Sequence, residues 1–155
     1  MTPKDNVAYA EMVHQAVFNA DVQHVFDALT RDVAEWWLHL TYDTDKRPDI
    51  CLEPYAGGRF FERFGSNERL YAIVTRFEPP KRLCLQGSMG MPGCTHGTIV
   101  FDIESHEGQT LLKATHQVIG VFDSELVATY RAGWALLLEK GLKAFVENVA
   151  VLRAQ

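Results

Sequence analysis

Glu62 and His116 are the side chains whose type and surroundings could do chemistry. Glu62 stands in the run Arg59-Phe60-Phe61-Glu62-Arg63-Phe64, and His116 closes Leu112-Lys113-Ala114-Thr115-His116. Alternate residues of an extended strand share a face. Glu62 therefore turns with Phe60 and Phe64, and His116 turns inward with Leu112 and Ala114. A carboxylate among aromatic rings is costly to ionise, so its pKa should rise. A glutamic acid and a histidine in one dry pocket could act as general acid and base, or orient a polar group of a ligand. The plainer alternative is that Glu62 pairs with a nearby arginine or caps a backbone group at the rim.

Aromatic residues supply the candidate binding surface. Tyr130 and Trp134 lie one helical turn apart, each with an apolar body and one hydrogen-bonding tip, which suits an amphipathic ligand. Trp36 and Trp37 are neighbours and would diverge by about 100° on a regular helix. One of them walls the cavity, and the other covers a sheet edge or a partner surface. With Phe60, Phe64, Leu85 and Phe101 they would line a continuous apolar cavity. Core packing is the competing use for every one of these rings.

Other chemistries find little support. The histidines (His14, His24, His39, His96, His106, His116) are dispersed, and Cys94-x-His96 is the one close Cys/His pair. No metal site and no cofactor are expected. Cys84 falls on a strand, and Cys94, beside Pro92-Gly93, has no evident activating base. Gly57-Gly58 precedes a strand and lacks a following lysine, so it reads as a turn rather than a phosphate loop.

These side chains need a frame to position them. Residues 11–18 read as a first strand, and Asn19 and Asp21 then start a short helix carrying Val22, Val25, Phe26 and Leu29. Thr30 and Asp32 restart the chain into a second short helix with Glu35, Trp36, Trp37 and Leu38. Strands follow at 49–53, 59–64, 69–77, 81–87, 96–104 and 109–118, separated by Gly-rich or polar turns, by Pro79-Pro80 and by the irregular segment Ser88–Cys94. Connections this short imply antiparallel neighbours. Parity turns Leu83, Leu85, Ile99, Phe101 and Ile103 inward. From Ser124 to Val149, residues Val127, Tyr130, Trp134, Leu138, Gly141, Leu142, Phe145 and Val149 recur at helical spacing on one stripe. That helix would be on the order of 40 Å long.

The chain has 155 residues, which suits a single domain over residues 1–155 with its core in 11–150. A net charge of −5 without basic runs argues against nucleic acid or an anionic membrane as partner. No apolar segment reaches the length of a membrane span or a signal, so the cytoplasm is the expected compartment. Three cysteines at unpatterned spacing suggest thiols rather than disulfides.

The order of strand, two short helices, six strands and a long helix resembles the helix-grip fold of the SRPBCC superfamily, with its START domains and birch-pollen-allergen-like proteins. The residues are most similar to the branch related to the C-terminal domain of the activator of the ninety-kilodalton heat-shock chaperone's ATPase. Its marks are Ala34-Glu35-Trp36-Trp37, the hairpin Glu53-Pro54-Tyr55-Ala56-Gly57-Gly58-Arg59-Phe60, Phe77-Glu78-Pro79-Pro80-Lys81-Arg82-Leu83, and Gly133-Trp134. The segment Met89–Cys94 is richer in Gly and Met than the branch's usual connection. The resemblance implies an α+β fold, a curved antiparallel sheet of six to seven strands wrapped around the C-terminal helix. It also implies a small hydrophobic ligand between the two, and a possible homodimer. Acid/base catalysis in the same pocket, of cyclase, dehydratase or hydrolase type, and a chaperone-cofactor role are the alternatives.

Overall fold

The computed structural model describes residues 6–37 and 49–154, with side chains to residue 148. Strand β1 (Ala8–Phe18) buries Met12, Ala16 and Phe18 on one face. It gives way to helix α1 (Val22–Thr30), whose start is fixed by the Asp21 carboxylate accepting from the His24 N–H at 2.8 Å. Helix α2 (Val33–Trp36) follows at once. Leu38, assigned to this helix from the sequence, lies outside the described residues.

The remaining strands are β2 (Ile50–Leu52), β3 (Arg59–Phe64), β4 (Asn67–Glu78), β5 (Arg82–Gly87), β6 (Thr95–His106) and β7 (Gln109–Gly120). They form one antiparallel sheet in the order β1-β7-β6-β5-β4-β3-β2. The turn residues match the turns: Glu107 and Gly108, both with positive φ, close the β6–β7 hairpin, and a cis Pro79–Pro80 bond lies between β4 and β5. Register aligns the apolar faces. Ile99 lies opposite both Leu85 and His116, and Phe101 opposite both Leu83 and Ala114.

The C-terminal helix covers that face. It comprises α3 (Ser124–Leu136), a π-helical turn (Leu137–Leu142) and α4 (Lys143–Ala154). Asp123 caps it by accepting from the Leu126 N–H at 2.9 Å. Within the π turn the Lys143 N–H donates to the Leu138 carbonyl, five residues back. The extra residue rotates the buried stripe. Leu137 and Val146 are buried alongside Trp134, Leu138, Gly141 and Leu142, while Phe145 is only half-buried. The architecture is the expected α+β helix grip.

Strand β3 departs from simple alternation. Glu62 is buried beside Phe60, as parity requires, but Phe64 is 39% exposed at the strand's end, where its cross-strand partner is Asn67 of the hairpin. The inward position expected for Phe64 is therefore corrected: the residue stands at the β3–β4 turn, where the strand ends. Phe61, on the face of Arg59 and Arg63, is nevertheless only 3% exposed. The Arg59 guanidinium lies 4.2 Å and that of Arg63 5.4 Å from its ring centre, so two cations cover it.

Candidate functional site

A cleft of about 370 Å³ opens where the first half of the C-terminal helix meets β4 and the β5–β6 loop. The helix contributes Thr129, Tyr130, Gly133, Trp134 and Leu137, spaced to share one face. Strand β4 contributes Arg69 and Tyr71, the loop contributes Met89 and Gly90, and Trp37 enters from the end of α2. Four of these ten residues are aromatic, and among the described residues no carboxylate lines the cleft.

The loop is stapled to both walls. The Tyr130 hydroxyl donates to the Met89 carbonyl at 2.9 Å, and the Arg69 guanidinium donates to the Gly90 carbonyl at 2.8 Å. The Met89 N–H donates to the Tyr71 carbonyl at 3.0 Å. Gly90 has φ +78°, and a Cβ there would come within 2.9 Å of the Tyr71 ring, so only glycine fits. Burial holds the Tyr130 phenol above its ordinary pKa, with Arg69 opposing, which keeps it a donor to Met89. The methionines of the loop, Met89 and Met91, are buried. No periodicity marks this segment, and its role as a cleft wall was not readable from the sequence.

His116 lies behind the cleft. Its Nδ1 accepts from the Trp134 indole N–H at 3.0 Å, and its ring stands 6.1 Å from that of Tyr130. Burial, at 1% exposure, depresses the imidazole pKa from 6.5 to about 4. At neutral pH the ring is uncharged, and with Nδ1 accepting, the proton sits on Nε2. A Cβ at Gly97 would stand 3.3 Å from that Nε2, so the missing side chain makes room for the imidazole.

The candidate residues thus separate into groups. Trp37, Tyr130 and Trp134 meet at the cleft. Trp36, Phe60, Leu85 and Phe101 pack deeper, with Trp37 and Trp134, around a void of only about 10 Å³. That is about the minimum for one water. The continuous cavity expected from the sequence is filled at its inner end. Of the two adjacent tryptophans, Trp36 is the core residue, its N–H bonded to the Ala28 carbonyl at 2.7 Å. Trp37 is the cavity residue, standing edge-on to Phe60 at 5.2 Å.

Glu62 and His116 are not brought together. Glu62, 4% exposed, sits on β3 between Ile50 and Arg69, whereas His116 is on β7 with three strands between them. A larger concavity of about 800 Å³ follows the outward-facing row Gln15, Lys113, Asp102, Arg82 and Glu78. These are successive cross-strand partners, and the opposite charges face one another, with Arg82 and Asp102 at 2.7 Å. That surface is a charge ladder edged by Val22, Pro80, Ile103 and Leu111 and without an aromatic side chain among its lining residues, and the aromatic cleft is the better site. Among the described residues no group of three or more His, Cys, Asp or Glu side chains could hold a metal ion, and no helix is long and apolar enough to cross a membrane.

The shape is shared by solved structures. The Aha1 dimer from Colwellia psychrerythraea is 25% identical, with a TM-score of 0.65 over 89% of this chain and 96% of that one. An uncharacterised protein of Rhizobium leguminosarum is 17% identical, with a TM-score of 0.69 over 92% and 97%. CalU16 from Micromonospora echinospora is 16% identical, with a TM-score of 0.61 over 96% and 90%. No curated protein matches the chain. The family model for Activator of Hsp90 ATPase homolog 1-like proteins matches residues 19–147, most of the chain, and the protein belongs to that family within the START-like superfamily.

Proposed function

We propose that the protein binds a small amphipathic molecule in the cleft between the C-terminal helix and the sheet. The observation that carries this reading is a cleft of about 370 Å³ walled by Trp37, Tyr71, Tyr130 and Trp134. Its volume lies in the range of about 300–1,000 Å³ occupied by small-molecule sites, which are mostly apolar with few polar groups. Native mass spectrometry of the purified protein, followed by denaturing extraction, tests it. A stoichiometric co-purified compound supports binding and names its class. A protein that carries nothing, and takes up nothing from a calorimetric panel of aromatic and aliphatic compounds, overturns it.

The second reading, acid/base catalysis by Glu62 and His116 in this cleft, lacks a shared site: three strands lie between the two side chains, and neither is among the residues that line the cleft.

Two further parts of this reading concern context. Three thiols without disulfides suit a reducing compartment, which supports the cytoplasm. Homodimerisation is supported by the dimeric Colwellia relative and by an exposed apolar strip, where Tyr9 faces Ile119 across β1 and β7 with Val7 and Val121 beside them. Sedimentation should show a dimer that Ile119→Lys dissociates. A monomer at every concentration removes the proposal.

A further inference from the structure

We infer that His116 is a positioning residue of the cleft: its neutral imidazole holds the Trp134 indole by the N–H and so sets that ring for a flat ligand, and protonation of the imidazole releases it. This deepens the binding function proposed above and rests on it.

Trp134 belongs to two environments. It lines the cleft from α3, and its N–H donates to His116 Nδ1 at 3.0 Å. The ring is 6% exposed and stands edge-on to Phe101 at 5.8 Å and to His116 at 5.9 Å. These contacts locate the ring, and the hydrogen bond adds a direction. Turned over, the indole would leave its N–H without this acceptor, which is costly in a buried place. His116 is not among the residues that line the cleft, so whatever it does there it does through Trp134.

The bond requires an uncharged imidazole, and the surroundings of both nitrogens oppose a charge. A proton on Nδ1 would set one donor against another. Nε2 has no acceptor among the described residues, so a cation would gain nothing on that side. The neighbours on each packed element are neutral. Met12 of β1 and Ile99 of β6 lie opposite His116, Gly97 adjoins Nε2, and α3 brings Trp134 and Tyr130. Tyr130 is the one titratable group of these, and burial keeps its phenol protonated. Burial alone, with no neighbouring charge, pushes His116 down to about 4. At neutral pH the acceptor is therefore complete and the Trp134 wall is held. Around pH 4 and below, the imidazolium repels the indole N–H and the wall loses its orientation. By linkage, a ligand that binds the held wall must in turn oppose protonation of His116.

Nitrogen–proton correlation spectra of the wild-type protein test the device first. The Trp134 indole resonance and the His116 ring nitrogens should titrate together, with one midpoint near pH 4. The probe for the cleft is 2-naphthol, which is flat and uncharged across the acid range. At saturation it should lower that midpoint by about half a pH unit or more, the reciprocal of a roughly fivefold weaker affinity in the protonated form. Two variants at pH 7 then separate positioning from packing. His116→Asn places an amide oxygen near the Nδ1 position and should bind 2-naphthol within about twofold of the wild type. His116→Leu supplies no acceptor and should bind it about fivefold weaker, the scale of one hydrogen bond. Equal affinities in the two variants, a Trp134 resonance indifferent to the His116 titration, or a midpoint unmoved by 2-naphthol each overturn the inference and leave the binding function standing. So does a wild-type protein that takes up another compound of the panel but not 2-naphthol. If the leucine variant does not fold, the wild-type titration decides. If acid unfolds the chain before His116 titrates, the variants at pH 7 decide. A protein that takes up no compound at all counts against the binding function itself, and this inference falls with it.

Discussion

Burial takes His116 far from its solution chemistry, and the consequence can be measured. Its folded pKa, about 4, lies below the ordinary 6.5, so protons bind the unfolded chain more readily than the native one. The site's contribution to stability is complete above about pH 6.5 and is lost as the pH falls to about 4, by roughly 3 kcal/mol in all. Urea unfolding at pH 7 and pH 4 should therefore show a smaller loss in His116→Gln than in the wild-type protein. Identical losses would mean that the imidazole is not desolvated. Carboxylates such as Glu53, held below the usual range by its hydrogen bonds to Arg59, titrate in both proteins and cancel in the comparison. Strand alternation sufficed to turn His116 and Glu62 inward. It could not reveal the partner of His116, because Trp134 reaches it from another element. Nor could it foresee that Phe61 would be buried on the outer face, where the guanidinium groups of Arg59 and Arg63 lie over its ring.

At the scale of elements, the C-terminal helix shows where periodicity works and where it stops. A 3.6-residue repeat finds Trp134, Leu138 and Leu142, but a π turn is invisible to it. After the turn the stripe moves, and Val146 rather than Phe145 faces the core. Leu138→Ala should destabilise by about 2–5 kcal/mol, as for other fully buried leucines, whereas Leu136→Ala, on the exposed side, should stay within about 0.5 kcal/mol. Denaturant midpoints of the two variants check this, and comparable costs would show that the helix is rotated from the face described. The β5–β6 loop was illegible for another reason. Its shape depends on Tyr130, Arg69 and Tyr71, residues distant in sequence, and on positive φ at Met89 and Gly90. Gly90→Ala should thus raise the energy of the loop by roughly 1–2 kcal/mol, the cost of a left-handed residue with a Cβ, and loosen both staples. Slower proteolysis at this loop than in the wild type would contradict that prediction.

For the molecule as a whole, what matters is where the space under the helix is left. A curved sheet gripping a helix could enclose a cavity along its full length, but here α1, α2 and the core aromatics fill the inner end to about 10 Å³. The usable volume gathers at the end where α3, the β5–β6 loop and Trp37 meet. A ligand bound there should stabilise the fold by mass action, about 2.7 kcal/mol at a hundred times its Kd, and raise Tm by roughly 5–10 °C for a chain of this size. The gain should also be local. Hydrogen exchange should slow most at the amides of Met89, which donates to Tyr71, and Met91, which donates to Ser88, because ligand contacts add to bonds that already hold the loop. Amides of α1, on the filled side, should gain only what global stabilisation gives them. If a bound compound raises Tm but protection rises uniformly, with no excess at Met89 and Met91, the ligand sits elsewhere than in the cleft. If α1 gains most, the inner core opens on binding, and the division between a filled end and a working end fails.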